Sequence, residues 1–303
     1  MKKILAFSIF MVFVVAAASA QFDVSMSQYM HNRYAINKAF AGSREALSLF
    51  GSFRKKWAGV NGAPSGQYFS AHTPLKNDKI ALGLSLFNQQ YAVSQHTGFD
   101  LSYTYRIQTN DHTWLGFALS GGGNFVSAKW SDVFLIDGND GAFAANETSF
   151  KPIIGFGVSM YSDKFFAGIS IPSFFVQSEY ADSLSFDMGK INYIATAGYA
   201  FNAGESWMIQ PSFMARYDGL MSELIADINT TVVYNKLLWI GVSYRTSNDI
   251  VGLAGYQITP RLRFAYSYNY TMSDIGSYNS GTHEVSIQYD FNFKIKTPNP
   301  KFF

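Results

Sequence analysis

Residues 284–296 alternate between polar and apolar side chains without interruption. The apolar positions are Val285, Ile287, Tyr289, Phe291, Phe293 and Ile295, and every position between them is polar. A side-chain period of two residues is that of a β-strand with one apolar and one polar face. At about 3.3 Å per residue the strand is long for a soluble sheet, and it suits a tilted strand that crosses an outer membrane.

The same alternation recurs along the chain. About fourteen segments show it, with approximate spans 46–54, 65–74, 79–89, 96–107, 113–127, 150–161, 164–171, 190–201, 206–216, 223–235, 237–245, 249–258, 261–270 and 282–295. We therefore predict an all-β fold, namely a transmembrane antiparallel β-barrel of about 14 strands.

The connections between these segments alternate in length. Every second one is tight: Leu75 to Asp78, Gln108 to His112, Ser162-Asp163, Asn202 to Glu205, Lys236 and Thr259-Pro260. The intervening ones include the long stretches 54–64, 128–149, 172–189 and 271–281, with 246–248 as a short exception. Bacterial barrels have short periplasmic turns and longer external loops, so this pattern independently favours a barrel with both termini in the periplasm.

The composition is unusual for a soluble domain. Aromatic residues make up 17% of the chain and charged residues 15%, whereas soluble domains average about 25% charged residues. After the first twenty residues no apolar run approaches the length of a spanning helix. A closed barrel is the other structure that satisfies every backbone group in lipid. The chain has no cysteine, so no disulfide stabilises it.

The N-terminus has the features of an export signal. Lys2 and Lys3 precede an uncharged apolar run, and Ala18-Ser19-Ala20 has the form of a cleavage site. We therefore expect residues 1–20 to be a cleaved signal peptide. Its removal takes away 2 of the 23 basic residues and none of the 21 acidic ones, so the mature chain has no net charge. A neutral chain gives no reason to expect a nucleic-acid partner.

Two stretches lie outside the alternating segments. Residues 28–42 (QYMHNRYAINKAFAG) do not alternate, and residues 297–303 (TPNPKFF) contain two prolines that stop a sheet. A barrel needs neither stretch to close, so we expect each to contact the lumen or a periplasmic partner. The expected division is a signal peptide at 1–20, an N-terminal periplasmic or plug segment at 21–45, the barrel at 46–296 and a C-terminal periplasmic tail at 297–303.

The sequence offers little support for catalysis. The five histidines lie on separate segments without metal-ligand spacing, and no G-x-S-x-G or similar nucleophile motif occurs. Gly121-Gly122-Gly123 lies inside an alternating segment, which indicates a bend in the barrel and not a phosphate loop. We expect a non-enzymatic protein with no catalytic, cofactor-binding or metal-binding residues.

The two stretches outside the strands carry a family resemblance. Gln28-Tyr29 followed by Ile36 to Gly42 resembles the opening of the PorP/SprF family of the Bacteroidetes type IX secretion system. Arg54, Trp57 and Gly59, the run from Phe166 to Ser170 with Pro172, and the ending Asn299 to Phe303 resemble further elements of that family, in family order. Lys38 replaces the family's usual Pro, and Lys301 its usual Arg.

The resemblance implies a protein of the Gram-negative outer membrane that supports export or surface anchoring of cargo, such as gliding adhesins. The implied partners are outer-membrane lipid and lipopolysaccharide, a secreted cargo protein with a type IX C-terminal domain, and periplasmic type IX components. The candidate partner-binding residues are Gln28, Tyr29, Asn37, Gly42, Arg54, Trp57, Asn299, Pro300, Lys301, Phe302 and Phe303.

Two rival functions remain open from the residues alone. The first is a passive outer-membrane porin or hydrophobic-solute channel. A porin is expected to have a charged constriction in an inward-folded loop, whereas residues 128–149 are rich in Phe and Ala. The second is a lipid-modifying enzyme, since barrel folds also accommodate catalysis.

Overall fold

The structure is a computed structural model that describes residues 26–130, 146–175 and 185–291. The expected signal peptide, the first residues of the expected plug segment, the end of the last predicted strand and the tail at 297–303 lie outside the described residues.

Fifteen β-strands account for most of the described chain. They are β1 (Leu47–Lys55), β2 (Ser65–Pro74), β3 (Ile80–Tyr91), β4 (Ser94–Asn110), β5 (Thr113–Ala128), β6 (Glu147–Tyr161), β7 (Phe165–Ile171), β8 (Tyr193–Tyr199), β9 (Phe201–Ala203), β10 (Trp207–Asp218), β11 (Glu223–Tyr234), β12 (Leu238–Arg245), β13 (Asp249–Gln257), β14 (Leu262–Thr271) and β15 (Thr282–Phe291). Each corresponds to a segment predicted from the alternation.

Strands β8 and β9 are two parts of one membrane-crossing strand. Both pair with β10 in the same register, and the ladder is interrupted opposite Gln210 and Pro211. Proline has no backbone N–H to donate to a neighbouring strand, which accounts for the break. The barrel therefore has 14 strands, as predicted.

All strand pairs are antiparallel, and the sheet closes on itself. Neighbouring strands follow chain order around the barrel, β10 pairs with β11, and the first strand pairs with the last through Leu47 opposite Phe291. Closure leaves no sheet edge for the lipid to meet.

The two faces of the wall are inverted relative to a soluble protein. On β4 the side chain of Leu101 is 57% exposed, whereas that of Arg106 is 1% exposed. The exposed positions of this strand are Phe99, Leu101, Tyr103, Tyr105 and Ile107, and the buried ones are Asp100, Ser102, Thr104 and Arg106. The apolar face of each strand thus points towards lipid, and the polar face points into the barrel.

The turns at the periplasmic end agree with the prediction, but the external connections are less uniform than predicted. Besides 246–248, the links at 92–93 and 219–222 are also short. The prediction placed longer links there because the alternation fades near both sites. In the structure, Tyr91 pairs with Ser94, and β3 and β4 continue to a two-residue turn in which Ala92 has a positive φ of 48°.

Helical structure is sparse. A single-turn helix α1 (Arg33–Ile36) and a 3₁₀ turn (Lys38–Phe40) precede β1, and a second 3₁₀ turn (Asp274–Tyr278) lies between β14 and β15. In the described ranges no helix has the length and apolar character needed to cross a bilayer.

A closed barrel resists unfolding because opening it exposes unpaired backbone groups to an apolar medium. We expect the purified protein in detergent to give a β-rich circular dichroism spectrum. It should also migrate faster on gels when unheated than when boiled. A helical spectrum, or identical migration before and after boiling, would contradict this architecture.

Candidate functional site

The residues before β1 lie inside the barrel. We call residues 26–45 the lumenal segment; most of its side chains are buried. Its hydrogen bonds reach inward-facing residues all around the wall, namely Ser70 and His72 on β2, Ser85 on β3, Ser102 and Thr104 on β4, Ser159 on β6, Ser170 on β7, Ser212 on β10, Asn269 on β14 and Ser286 on β15. The segment therefore occupies the lumen.

The lumenal segment runs along the barrel axis. At its beginning, the backbone N–H of Ser27 donates to Oε2 of Glu284 at 2.9 Å, close to the external end of β15. At its other end, Arg44 binds Asp290 with Nε and Nη2, close to the periplasmic end of β15. The segment thus fills the lumen from its external half down to the start of β1.

Gln28 and Tyr29, two predicted partner-binding residues, contact opposite sides of the wall. Gln28 accepts a hydrogen bond from Ser286 Oγ at 2.6 Å, and its Nε2 approaches the carbonyl oxygen of Glu284. The Tyr29 hydroxyl pairs with Ser212 Oγ at 3.2 Å. Burial is the main cause of the raised pKa of Tyr29, so this hydroxyl stays neutral.

Asn37, a third predicted residue, inserts its side chain where β6 and β7 meet. Its Nδ2 donates to the carbonyl oxygen of Val158 on β6 at 3.0 Å and to that of Ile169 on β7 at 3.2 Å. Its Oδ1 accepts from the backbone N–H of Ala39 at 2.9 Å, which starts the 3₁₀ turn. One amide therefore joins the lumenal segment to two neighbouring strands.

Four inward glycines shape the wall to receive residues 34–39. A Cβ at Gly83 would lie 2.3 Å from the Tyr34 hydroxyl oxygen, and one at Gly116 would lie 2.4 Å from the carbonyl oxygen of Ala39. A Cβ at Gly157 would lie 2.2 Å from Oδ1 of Asn37, and one at Gly168 would lie 2.7 Å from Nδ2 of Asn37. We call Gly83, Gly116, Gly157 and Gly168 the glycine seat.

Ion pairs fasten the segment at two levels. Lys38 Nζ lies 3.4 Å from Asp100 Oδ2, and Arg44 Nη2 lies 2.6 Å from Asp290 Oδ2. Burial alone lowers the pKa of Lys38, but its neighbours Tyr68, Asp100 and Tyr34 more than offset that effect and raise it. Lys38 is therefore charged in the lumen, where a carboxylate compensates its burial.

His31 is a buried imidazole in a cationic environment. Its ring centroid lies 5.2 Å from that of Trp239. Burial lowers the pKa of His31 to about 3, with further lowering from the positive charges of Arg263, Arg44 and Arg33. His31 is therefore neutral at pH 7 while the segment occupies the lumen.

Gly42, Arg54 and Trp57 lie at the two ends of the barrel. Gly42 has a positive φ of 74°, and its N–H donates to His72 Nδ1 at 3.1 Å near the periplasmic end. Arg54 is near the external end, with Nε 4.0 Å from Glu284 Oε2. The backbone N–H of Trp57 donates to Thr282 Oγ1 at 3.3 Å, and Lys56 Nζ lies 4.7 Å from the centroid of the Trp57 ring.

The structure thus brings Gln28, Tyr29, Asn37 and Gly42 into one lumenal site and places Arg54 and Trp57 at its external end. Asn299, Pro300, Lys301, Phe302 and Phe303 lie outside the described residues. Sequence reasoning missed Tyr34, Lys38 and Arg44 of the segment, and the whole glycine seat. Glycines at polar-face positions of alternating strands are the signal that could have indicated the seat, because such positions otherwise carry a side chain.

A cleft of about 240 Å³ opens at the periplasmic end of the barrel. It is lined by Ser43, Glu45, Asp111, His112, Trp114, Tyr161, Ser162 and Asp163. Across the described ranges no group of His, Asp and Glu residues has the arrangement of a metal site. The cleft is therefore an acidic and aromatic surface at the periplasmic mouth.

An apolar outer face, a closed antiparallel sheet and a polar lumen define an outer-membrane β-barrel protein, here with its lumen occupied by its own N-terminal segment. The family model described as "Type IX secretion system membrane protein PorP/SprF" matches residues 18–289. The chain therefore belongs to the PorP/SprF family, and it is located in the outer membrane.

Solved structures share the fold at low sequence identity. The CymD monoaromatic hydrocarbon channel matches with a TM-score of 0.51 and 12% identity over 90% of this chain and 95% of that one. The toluene transporter TbuX of Ralstonia pickettii matches with a TM-score of 0.51 and 10% identity over 91% of this chain and 96% of that one. No curated protein sequence matches the chain. Identities this low show the fold alone.

The glycine seat can be tested with two matched substitutions. Gly157→Ala places a methyl group on Asn37, whereas a Cβ at Gly121 has nothing within 4 Å. We expect Gly157→Ala to weaken docking of the segment by about 1–3 kcal/mol, as overpacking does, and Gly121→Ala to leave it unchanged. In planar bilayers, the Gly157 variant should conduct more than the wild type and the Gly121 variant should not. Equal conductance of all three proteins would contradict the seat.

His31 makes docking of the segment depend on pH. The pKa of His31 is about 3 in the lumen and 6.5 in water. Between pH 3 and pH 6.5 the released segment therefore binds one more proton than the docked segment. Docking is therefore fully stable above about pH 6.5 and weakens as the pH falls towards 3. We expect wild-type conductance in planar bilayers to rise between pH 7 and pH 5, and His31→Gln to reduce that rise. A wild-type conductance that does not change over this range would contradict the prediction.

Proposed function

We propose that this protein is a non-enzymatic outer-membrane component of the type IX secretion system, which supports export or surface anchoring of cargo such as gliding-type adhesins. Membership of the PorP/SprF family supports a role in type IX secretion. That family and the barrel fold are also typical of non-enzymatic secretion and channel proteins. Export and surface anchoring of cargo are the specific activities that we propose within this role.

The observation that carries the proposal is the occupied lumen. A passive pore needs a continuous aqueous path, but here hydrogen bonds and two ion pairs attach residues 26–45 to strands around the barrel. A barrel of this width needs filling by loops or side chains if it is not to leak. A lumen closed at rest suits a protein that acts through contacts with other proteins.

The proposed partners differ at the two ends. In the membrane they are outer-membrane lipid and lipopolysaccharide, for which Lys56 and Trp57 near the external end offer a positive charge and an aromatic ring. At the periplasmic mouth, the acidic and aromatic cleft suits contact with periplasmic type IX components. The secreted cargo, with its type IX C-terminal domain, is the third partner. No nucleic-acid partner is proposed.

A second candidate function is a passive porin or hydrophobic-solute channel. It is favoured by the shared fold of two proteins described as a monoaromatic hydrocarbon channel and a toluene transporter. The wild-type recordings in the glycine experiment distinguish the two functions. Steady, large conductance of the wild-type protein would favour the porin, and a closed wild-type barrel favours the secretion component.

The tail at 297–303 provides the direct test of partner binding. Pro298 and Pro300 favour an extended chain and so lower the entropy lost on docking, and Phe302 and Phe303 supply apolar anchors beside the positive charge of Lys301. We expect deletion of residues 297–303 to leave a normal barrel in the outer membrane. That barrel should no longer co-purify with periplasmic type IX components, and cargo should remain unsecreted.

The outcomes of this deletion are distinct. Loss of the barrel itself from the membrane would show that the terminal aromatics serve assembly. Normal secretion from a normal barrel would contradict docking by the tail. Substitution of Phe302 and Phe303 by Tyr is the matched control, since it keeps the aromatic anchors and should preserve both partner binding and secretion.

A further inference from the structure

The outward face of the wall changes its chemistry near the external ends of β1, β14 and β15. Lys55, His283 and Tyr268 lie opposite one another in the two ladders, so they form one row across these strands. Their neighbours Arg54 and Glu284 point into the lumen. Since side chains alternate along a strand, the row points towards the membrane. We call Lys55, His283 and Tyr268 the rim row.

The rows beneath the rim row are made of apolar and aromatic residues. They consist of Phe53, Val285 and Tyr266, and then of Gly51, Ile287 and Phe264. Ile287 is 52% exposed and Phe53 is 45% exposed. A lysine on the lipid face of a barrel is costly at the centre of the membrane, but its cost almost disappears at the interface. The rim row therefore lies where the acyl chains of the outer leaflet meet the headgroups.

Lys55 has unused hydrogen-bond donors at this level. Its Nζ donates to the carbonyl oxygen of Ala63 at 3.3 Å, which uses one N–H group of the ammonium. Among the described residues no carboxylate forms an ion pair with Lys55. The loop at 56–64 contains no acidic residue, and the loop at 272–281 contains one, Asp274. The charge of Lys55 is therefore available to an anion in the headgroup layer.

His283 is oriented by two tyrosines of β14. The Tyr266 hydroxyl pairs with Nδ1 of His283 at 2.6 Å, and the Tyr268 ring lies edge-on with its centroid 5.2 Å away. Nε2 has no partner within the described part of the chain. With Tyr266 as donor to Nδ1, the neutral ring carries its proton on Nε2, which then donates. An N–H donor thus lies on the strand next to the Lys55 ammonium, at the same level.

The two external loops beside the rim row are tied to each other. The N–H of Ala58 donates to the carbonyl oxygen of Gly281, and the N–H of Ser280 donates to that of Ala58, both at 2.8 Å. Trp57 has a positive φ of 46°, a strained conformation for a bulky residue that its surroundings must hold. Both strand ends of the rim row are therefore fixed in place, which lowers the entropy lost when a ligand binds.

We propose that the rim row binds a phosphate group of lipid A, the phosphorylated glycolipid that anchors lipopolysaccharide in the outer leaflet. Lys55 Nζ and His283 Nε2 donate to the phosphate oxygens, and the acyl chains lie along the apolar rows beneath. Hydrogen bonds from charged donors to phosphate are shorter and stronger than neutral ones. Tyr266 is a positioning residue that sets the orientation of the imidazole. The proposal rests on the lipopolysaccharide contact proposed above and assigns residues to it.

The position of the rim row favours a lipid over free phosphate as its ligand. The membrane confines lipid phosphates to the depth of the row, so their effective concentration beside it is high. A free phosphate ion has no such confinement. Basic side chains at the membrane surface are also the groups that recognise anionic headgroups. The row lies at the external end of the wall, so the lipid that it meets is that of the outer leaflet.

The site is tested by lipid binding to the purified full-length protein in detergent, measured by native mass spectrometry. We expect the wild type to bind bisphosphorylated lipid A, and Lys55→Gln to bind it about tenfold more weakly or worse, because a charge-assisted contact is lost. Lys164→Gln is the matched control, since Lys164 is exposed in the periplasmic turn before β7. It should bind as the wild type does. Unchanged affinity in Lys55→Gln, or equal weakening in Lys164→Gln, would overturn the site.

A second variant tests the other donor and does not depend on Lys55. His283→Phe keeps an aromatic ring on the lipid face and removes both ring nitrogens, so it should also weaken lipid A binding several-fold. Faster migration of unheated samples on gels verifies that each variant has folded as a barrel. Wild-type affinity in a folded His283→Phe variant would overturn the rim row as the binding site.

Two further probes identify the source of the phosphate. Dephosphorylated lipid A should bind the wild type no more tightly than lipid A binds Lys55→Gln. Inorganic phosphate at the concentration of the lipid should not displace bound lipid A. Equal binding of the dephosphorylated lipid, or displacement by inorganic phosphate, would overturn lipid A as the ligand.

Failure of the site is distinguishable from failure of the proposed function. Equal lipid A affinities of the wild type and both variants would overturn the site and leave the role in secretion standing. Cargo display that continues after removal of the whole protein would contradict the role in secretion, and the measured lipid A affinities would still decide the site.

Discussion

The rest of the structure depends on the requirement that every backbone N–H and C=O group within the lipid has a partner. Pairing of β1 with β15, and of β10 with β11, closes the sheet and removes its edges. Closure forces alternate residues of each strand onto the lipid face, which must be apolar, and the others into the lumen. The lumen of a 14-strand barrel is wide, so its polar lining needs either water or protein as a partner. Residues 26–45 supply that partner.

The polar chemistry of the lumen makes this filling specific. The segment binds mainly through hydrogen bonds and through the pairs Lys38–Asp100 and Arg44–Asp290. Removing one member of a buried ion pair is costly, but water or another chain can replace both partners together. An apolar plug would have no comparable substitute in an aqueous lumen. A polar plug therefore suits a barrel whose contents must be exchanged, and the buried neutral His31 adds a dependence on pH.

The wall was predictable from sequence, whereas the lumenal site was only partly so. Alternation identifies β4 and β14 because lipid and lumen impose opposite polarity on neighbouring residues. It fails at 92–93 and 219–222, where strands continue beyond the last clear alternation. The family motif indicated Asn37 and Gly42, but not what they touch. Asn37 meets carbonyl groups of residues 158 and 169, and Tyr34 meets Gly83; contacts at such separations depend on register, which a local pattern does not fix.

A single stretch of chain both fills the lumen and ties two neighbouring strands of the wall to each other, and the two effects are physically coupled. In the described residues the ladders of β7 with β6 and with β8 cover six residue pairs each, and the bonds from residues 36–39 add further ties from within the lumen. A ligand that displaces the segment therefore does more than clear the lumen, because it also removes the ties between β6 and β7. A polypeptide that enters from the periplasm would thus meet an emptied lumen and a loosened wall in one step.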